Sequence, residues 1–166
     1  MKLYIDKFTD RRFGVVVVGV TDSGLRFVGI GKNSTYEAAF AYAKTNRLTP
    51  ARVPSRTGRY VKQLKSYFAG KRKRFSVKFD LGHLPEFTRK TLRAALKIPY
   101  GKTSTYGDLA RIAGKPQAAR AVGRIMAANP VPIIIPCHRV VGVNGDLTGY
   151  GGGIVMKKKL LSFEKA

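Results

Sequence analysis

The chain of 166 residues has one cysteine and two histidines, and Cys137 and His138 are neighbours. A thiol attacks as its thiolate, and a free thiol has a pKa of about 8.5. The usual activating device is a base that takes the proton and a third group that orients the base. Adjacent side chains diverge, so His138 is expected to reach the sulfur of Cys137 through a water. The acids in the second half are Glu86, Asp108, Asp146 and Glu164, and composition does not choose among them. A lone cysteine is most often a small buried core residue. A Cys-His pair carries chemistry only if its surroundings support it.

The surroundings are rigid on one side and pliable on the other. Pro130, Pro132 and Pro136 lead into Cys137, with Ile133, Ile134 and Ile135 between them. Each proline fixes a backbone angle, removes a donor and turns its predecessor away from helix. The segment 129–141 is therefore no helix interior, and it can hold a sulfur at one point. Beyond it, Asn144-Gly145 predicts a turn. Glycines 149, 151, 152 and 153 surround Tyr150 in a loop able to close over a planar ligand, or to act as a plain linker. The last helix runs from Ile154 to about Lys165.

Two short helices precede this segment. Thr103, Ser104 and Thr105 offer N-caps for a helix from Tyr106 to Ala113, with Leu109, Ile112 and Ala113 inward. Gly114-Lys115-Pro116 turns the chain, and Pro116 opens a second helix to about Ala128. Ala118, Ala121, Val122, Ile125 and Met126 form its apolar stripe. The pair is a helix-turn-helix candidate. At about 100° per residue, Ala119, Gly123 and Ala127 make an arc of minimal side chains, flanked by Gln117, Arg120 and Arg124. Such an arc suits close approach to a minor groove and its backbone. It suits packing against another helix equally well.

The charge of +23 comes from 32 Lys and Arg against 9 Asp and Glu. Residues 1–85 carry 18 basic and 5 acidic side chains, and residues 86–166 carry 14 and 4, so both halves are basic. A polyanion is the natural partner, nucleic acid first among them. No apolar run reaches the roughly 18 residues of a membrane span, and the N-terminus lacks a secretion signal's apolar stretch. Together these predict a cytoplasmic protein with no membrane association. One cysteine allows no internal disulfide, and the few Cys and His form no zinc cluster.

The spacing of residues 1–84 predicts a mixed α/β scaffold domain. Strands are expected at Phe13–Val20 and Leu25–Ile30 around a turn at Thr21–Gly24. A capping box at Ser34–Glu37 opens a helix to about Asn46, and Leu48–Ser55 is a loop. Arg56–Ala69 follows a helical period, the basic run Lys71–Arg74 ends it, and Phe75, Val77 and Phe79 alternate as a strand would. A boundary falls at Leu81–Pro85. Residues 85–166 read as a mostly helical domain, starting with a helix to about Lys97 that Ile98–Lys102 breaks.

Ile135-Pro136-Cys137-His138-Arg139-Val140-Val141 resembles the active-site signature of the O6-alkylguanine-DNA alkyltransferases, also called methylated-DNA–protein-cysteine methyltransferases. Ile98-Pro99-Tyr100-Gly101, Thr105-Tyr106-Gly107-Asp108-Leu109-Ala110, Ala118-Ala119-Arg120-Ala121-Val122-Gly123 and Asn129-Pro130 resemble further family motifs in the same order. The resemblance covers residues 85–166. It implies a small antiparallel, ribonuclease-H-like sheet with helices in the first domain, and a helix-turn-helix in the second. It also implies direct repair of duplex DNA containing O6-alkylguanine, by a monomer without cofactor or metal. The alkyl group passes irreversibly to Cys137, once per chain. His138 acts through water as base, Glu164 orients it, and Asn129 braces the turn. Tyr106 meets the rotated 3′ phosphate and the purine. Arg120 fills the gap left by the flipped base. Ala119, Gly123, Arg124, Thr103 and Ser104 face the DNA. The carbonyls of Cys137 and Val140 read the guanine amine, the N–H of Gly151 meets O6, and Tyr150 and Met126 wall the pocket. Leu92 stands where members often have tryptophan, and Gly151 where some have serine. The zinc ligands of some members' first domain are absent.

Overall fold

The computed structural model describes residues 1–31 and 34–165. The chain divides into two compact units, Met1–Leu81 and Gly82–Ala166.

The first unit is a four-stranded sheet with a helix on each face. Its strands are β1 (Lys2–Asp10), β2 (Gly14–Thr21), β3 (Gly24–Gly29) and β4 (Thr49–Ala51), in the order β3-β2-β1-β4. Helix α1 (Tyr36–Thr45) lies between β3 and β4 in sequence, and α2 (Pro54–Phe68) follows β4. β1, β2 and β3 are antiparallel, but β4 runs parallel to β1. The sheet is thus mixed, not wholly antiparallel as expected. The cause is the crossover through α1, which returns the chain in the direction of β3 and so of β1.

Pleating sorts the side chains of β1. Leu3 and Ile5 join Val17, Phe27, Ala39, Ala43 and Leu48 in the α1-side core. Phe8, on the other face, meets Phe68 of α2 with ring centroids 6.1 Å apart. Burial on both faces explains why β1 was invisible as an alternating pattern: Leu3, Tyr4 and Ile5 are all buried. Helix α1 is capped one residue later than the expected Ser34 box: Thr35 Oγ1 accepts from the Ala38 N–H at 3.0 Å, while the Ser34 hydroxyl donates to Gly31 O at 2.6 Å. Helix α2 begins two residues earlier than expected because Pro54 suits the first turn. Gly70, at φ +73°, closes it.

The strand expected over Phe75–Phe79 does not form. The segment makes one isolated bridge, Leu25 to Phe79. Both backbone groups of Ser76 are taken by a side chain: Gln63 Nε2 donates to Ser76 O, and Ser76 N donates to Gln63 Oε1, both at 2.9 Å. The apolar alternation is real, but a helix-borne amide replaces the neighbouring strand.

The second unit contains α3 (Glu86–Leu96), β5 (Ser104–Thr105), α4 (Tyr106–Ile112), α5 (Ala119–Ala127), β6 (Val140–Val141) and α6 (Ile154–Lys165). Its core gathers Leu92, Leu109, Val122, Val131, Ile133, Ile135 and Leu160, each fully buried. Leu92 thus fills a core position. Helix α5 starts three residues later than expected, because residues 116–118 complete a turn in which Ala118 N donates to Lys115 O at 2.9 Å. Ile112, expected inward, is 59% exposed at the last turn of α4. Among the described residues no helix is long and apolar enough to cross a membrane, and no three His, Cys, Asp or Glu side chains gather as a metal site.

Candidate active site

Cys137, His138 and Arg139 form a single 3-10 turn between the proline-rich segment and β6. The lead-in is strained as well as stiff. Ile133 is fully buried and sits at φ 73°, which a β-branched residue rarely adopts. Asn129 holds this geometry together. Its Oδ1 accepts from the Val131 N–H at 3.0 Å, and its Nδ2 donates to Ile135 O at 2.9 Å and to Cys137 Sγ at 3.0 Å. One side chain therefore fixes the turn and supplies a donor to the sulfur. Two-stranded pairing of β5 with β6, Ser104 to Val140 and Thr105 to Val141, ties the head of α4 to the same turn. Thr105 and Asp108 cap α4 reciprocally.

Behind the cysteine lies a buried charge cluster. His138 Nε2 meets Glu164 Oε1 at 2.8 Å. Arg139 grips both oxygens of Glu164, Nε to Oε2 at 2.8 Å and Nη2 to Oε1 at 2.9 Å, and donates from Nη1 to Ile98 O at 2.7 Å. The Gly101 N–H adds a fourth donor to Glu164, at 3.1 Å from Oε2. Of the four candidate acids the fold thus brings Glu164 to His138. Asp108 caps α4, and Glu86 pairs with Lys90 at 2.8 Å.

A carboxylate can only accept, so Nε2 of His138 carries the hydrogen and Nδ1 bears the lone pair. Nδ1 is buried and has no protein partner. Burial lowers the His138 pKa below its usual 6.5, opposed by Glu164. The ring is therefore neutral at pH 7, with a basic nitrogen to spare. Burial pushes the Cys137 thiol up to about 11, opposed by the Asn129 donor and by Lys157. The resting sulfur is a thiol, and attack requires a base.

Lys157 had no role in the sequence reading. It is fully buried, and its Nζ donates to Val140 O at 2.6 Å, Thr148 O at 2.9 Å and Tyr106 Oη at 3.3 Å. Burial lowers its pKa to about 8. The available signal was position: Lys157, Leu160 and Glu164 share the i, i+3, i+7 stripe of α6, where a lysine needs partners.

The loop after β6 closes over this cluster. Tyr106 Oη donates to Thr148 O at 2.6 Å, so its proton is engaged within the loop. Tyr150 is buried with a hydroxyl lacking any protein partner. Met126 is a buried residue of α5. Gly151 needs to be glycine here: a Cβ would lie 2.5 Å from Ala127 O, a backbone atom unable to yield cheaply. Gly151→Ala is expected to lift the loop from α5 and destabilise the protein by about 1–3 kcal/mol, read as the shift in a urea midpoint.

The small-residue arc of α5 divides its duties. Gly123 faces the Tyr106 ring, where a Cβ would make ordinary contact at 3.9 Å. Ala119 and Gly123 are half-buried, whereas Arg120, Arg124 and Ala127 are exposed. Thr103 is exposed and Ser104 half-buried. Val140 O already accepts from Lys157, and Cys137 O from the Val140 N–H.

The chain is similar to known proteins over both of its units. The family profile described as 6-O-methylguanine DNA methyltransferase, DNA binding domain, matches residues 86–166. A methylated-DNA–protein-cysteine methyltransferase of Mycobacterium tuberculosis is 51% identical over 106 residues, 64% of this chain and 64% of its own length. The inducible enzyme of that name from Bacillus subtilis is 41% identical over 150 residues, 89% of this chain and 83% of its own. The structure of Mycobacterium tuberculosis O6-methylguanine methyltransferase superposes with a TM-score of 0.81 at 38% identity, covering 98% of this chain and 93% of that one. The structure of Mycobacterium tuberculosis OGT in complex with DNA gives 0.81 at 37%, covering 98% and 92%.

Proposed function

The chain belongs to the methylated-DNA–protein-cysteine methyltransferase family, and from that premise we propose that it repairs O6-alkylguanine in duplex DNA by moving the alkyl group to Cys137. The observation that carries the reading is the assembly of Asn129, Cys137, His138 and Glu164 in one cluster. The steps balance without a cofactor. The Cys137 proton passes through a water to Nδ1 of His138. The thiolate attacks the alkyl carbon, the S–C bond forms as the C–O6 bond breaks, and the electron pair stays on O6. The Gly151 N–H is the donor assigned to O6 of the departing guanine, which then takes a proton from solvent. No step regenerates the thiol, so each chain acts once.

The target atom lies inside the stack, so the nucleotide must be flipped out at a cost of a few kcal/mol. Arg120 offsets part of this by filling the vacated space. The α4–α5 pair acts as a helix-turn-helix whose small face, Ala119 and Gly123, approaches the minor groove with Arg124, Thr103 and Ser104 on the backbone. Tyr106 meets the 3′ phosphate after releasing Thr148. The Cys137 and Val140 carbonyls each keep a second lone pair for the guanine amine, and Tyr150 and Met126 wall the pocket. The mixed sheet between α1 and α2 supports a ribonuclease-H-like first domain. The protein works as a cytoplasmic monomer.

The test is incubation with duplex DNA containing O6-methylguanine, followed by intact mass and peptide mapping. One methyl group per chain on Cys137 is the expected result. Unchanged mass with intact lesions rejects the reading, and repeated turnover indicates a catalyst of another kind. The pH dependence is a second check. His138 accepts a proton only when neutral, and its pKa is depressed. The single-turnover rate should therefore hold level through neutrality and fall only below pH 6.5. A fall beginning above pH 7 would count against His138 as the base.

A further inference from the structure

The first unit carries a cationic surface that the repair chemistry does not use. Residues 52–79 contain ten Lys and Arg and no acid. Arg56, Arg59, Lys62 and Lys65 are exposed on α2 at successive i+3 steps. That spacing places neighbouring Cβ atoms about 5–6 Å apart along a slanting row. Lys71, Lys73, Arg74 and Lys78 are exposed on the following segment, which Gln63 clamps to α2 through Ser76. At the head of α2 a cavity of about 270 Å³ is lined by Thr21, Asp22, Ser55, Arg56, Arg59 and Lys78. Asp22 pairs with Arg56 at 3.3 Å, so one carboxylate stands among three cations there. The first turn of α2 holds no acid and no side-chain cap.

We propose that this face of the first unit is a second nucleic-acid contact, with the α2 row tracking a run of phosphodiesters and the cavity seating one of them. The proposal rests on DNA being the substrate. Regularly spaced cations on a clamped scaffold match a regularly charged polymer. A membrane surface would also want an apolar wedge, and the outer face of α2 carries no large exposed apolar side chain.

Two charge-matched triple variants test it. Arg59→Gln, Lys62→Gln and Lys65→Gln remove part of the row. Lys7→Gln, Lys44→Gln and Arg47→Gln remove the same charge from exposed positions on the α1 side of the sheet. Binding to an undamaged duplex of about 30 bp is measured against salt. Each lost phosphate contact flattens the log–log slope by about 0.9, so the α2 triple should flatten it by about 2–3 and weaken binding about tenfold or more at 100 mM salt. The α1-side triple should change both far less. Equal effects, or none, overturn the proposal. Loss of binding to phosphatidylserine vesicles with an unchanged DNA slope overturns it in favour of a membrane. Failure of the repair reading is separate, showing as no methyl adduct on the unmodified protein. Both triples should still take up one methyl group from O6-methylguanine duplex at low salt.

Discussion

Glu164→Gln should destabilise the protein by about 3 kcal/mol or more and slow alkyl transfer at least a hundredfold. Four donors converge on this carboxylate: His138 Nε2, Arg139 Nε and Nη2, and the Gly101 N–H. A carboxylate meets them with two accepting oxygens. A glutamine has the same shape but only one, and its amide NH₂ must face a donor whichever way it turns. If the NH₂ faces Gly101 and Arg139 Nε, a buried guanidinium loses half its grip and its compensating charge. If it faces His138, the imidazole can adapt only by moving its proton to Nδ1. That is the nitrogen proposed to receive the cysteine proton, so the base is lost although the ring stays in place. Both orientations leave Arg139 as an uncompensated buried cation, the costly way to break such a pair. Wrong-tautomer damage in a nucleophile–His–acid system reaches about 10⁴ in rate, so a hundredfold is the lower bound. Urea unfolding reads the first effect and single-turnover methyl transfer the second. A variant of unchanged midpoint with a rate within tenfold would show that Glu164 neither balances Arg139 nor fixes the tautomer.

This cluster also shows where the sequence was legible. Helices could be read where period and cap signals fell together, as at Ser34–Glu37 for α1 and Thr103–Thr105 for α4, although the residues that cap them are Thr35 and Thr105. The proline-rich turn was legible as a rigid holder because proline acts through its own ring. Contacts between residues distant in sequence were not. Residue spacing left four acids open to His138; the family resemblance named Glu164, and the fold brings it there by returning α6 to the 3-10 turn. Arg139 was visible as part of a motif, but nothing local says that its guanidinium reaches Glu164 and Ile98 together. The segment 75–79 failed for a related reason. Its alternation reports which side chains are half-buried, while strand formation depends on what meets its backbone, and there Gln63 does so. β1 was missed in the opposite sense, since helices on both faces erase the alternation that marks a one-sided strand.

Lys157→Met is the second large effect, and it separates positioning from chemistry. Methionine nearly conserves the volume but donates nothing. Three acceptors then lose a partner: Val140 O, Thr148 O and Tyr106 Oη. Thr148 O keeps the Tyr106 hydroxyl as donor, and Tyr106 is half-buried. Val140 is fully buried, so its carbonyl suffers most, at about 1–3 kcal/mol. Removing a buried ammonium works the other way, so the net loss of stability at pH 7 should be modest. Function should not be spared, because Lys157 joins three parts of the proposed pocket: the strand after Cys137, the loop before Tyr150, and Tyr106. Alkyl transfer is expected to slow by about tenfold or more, since small misplacements near reacting atoms can cost up to about a hundredfold. The pH signature identifies the cause. Lys157 titrates at about 8 in the fold against 10.5 in the free side chain. Between those values the unfolded chain holds the extra proton, so stability gains with rising pH. The unmodified protein should therefore gain on the methionine variant from pH 8 towards pH 10. Cys137 opposes this trend above pH 9 in both proteins, and more strongly in the variant, where the Lys157 charge no longer favours the thiolate, so the difference keeps its sign. A difference that stays flat across that range would mean that the Lys157 ammonium is not held as its three hydrogen bonds require.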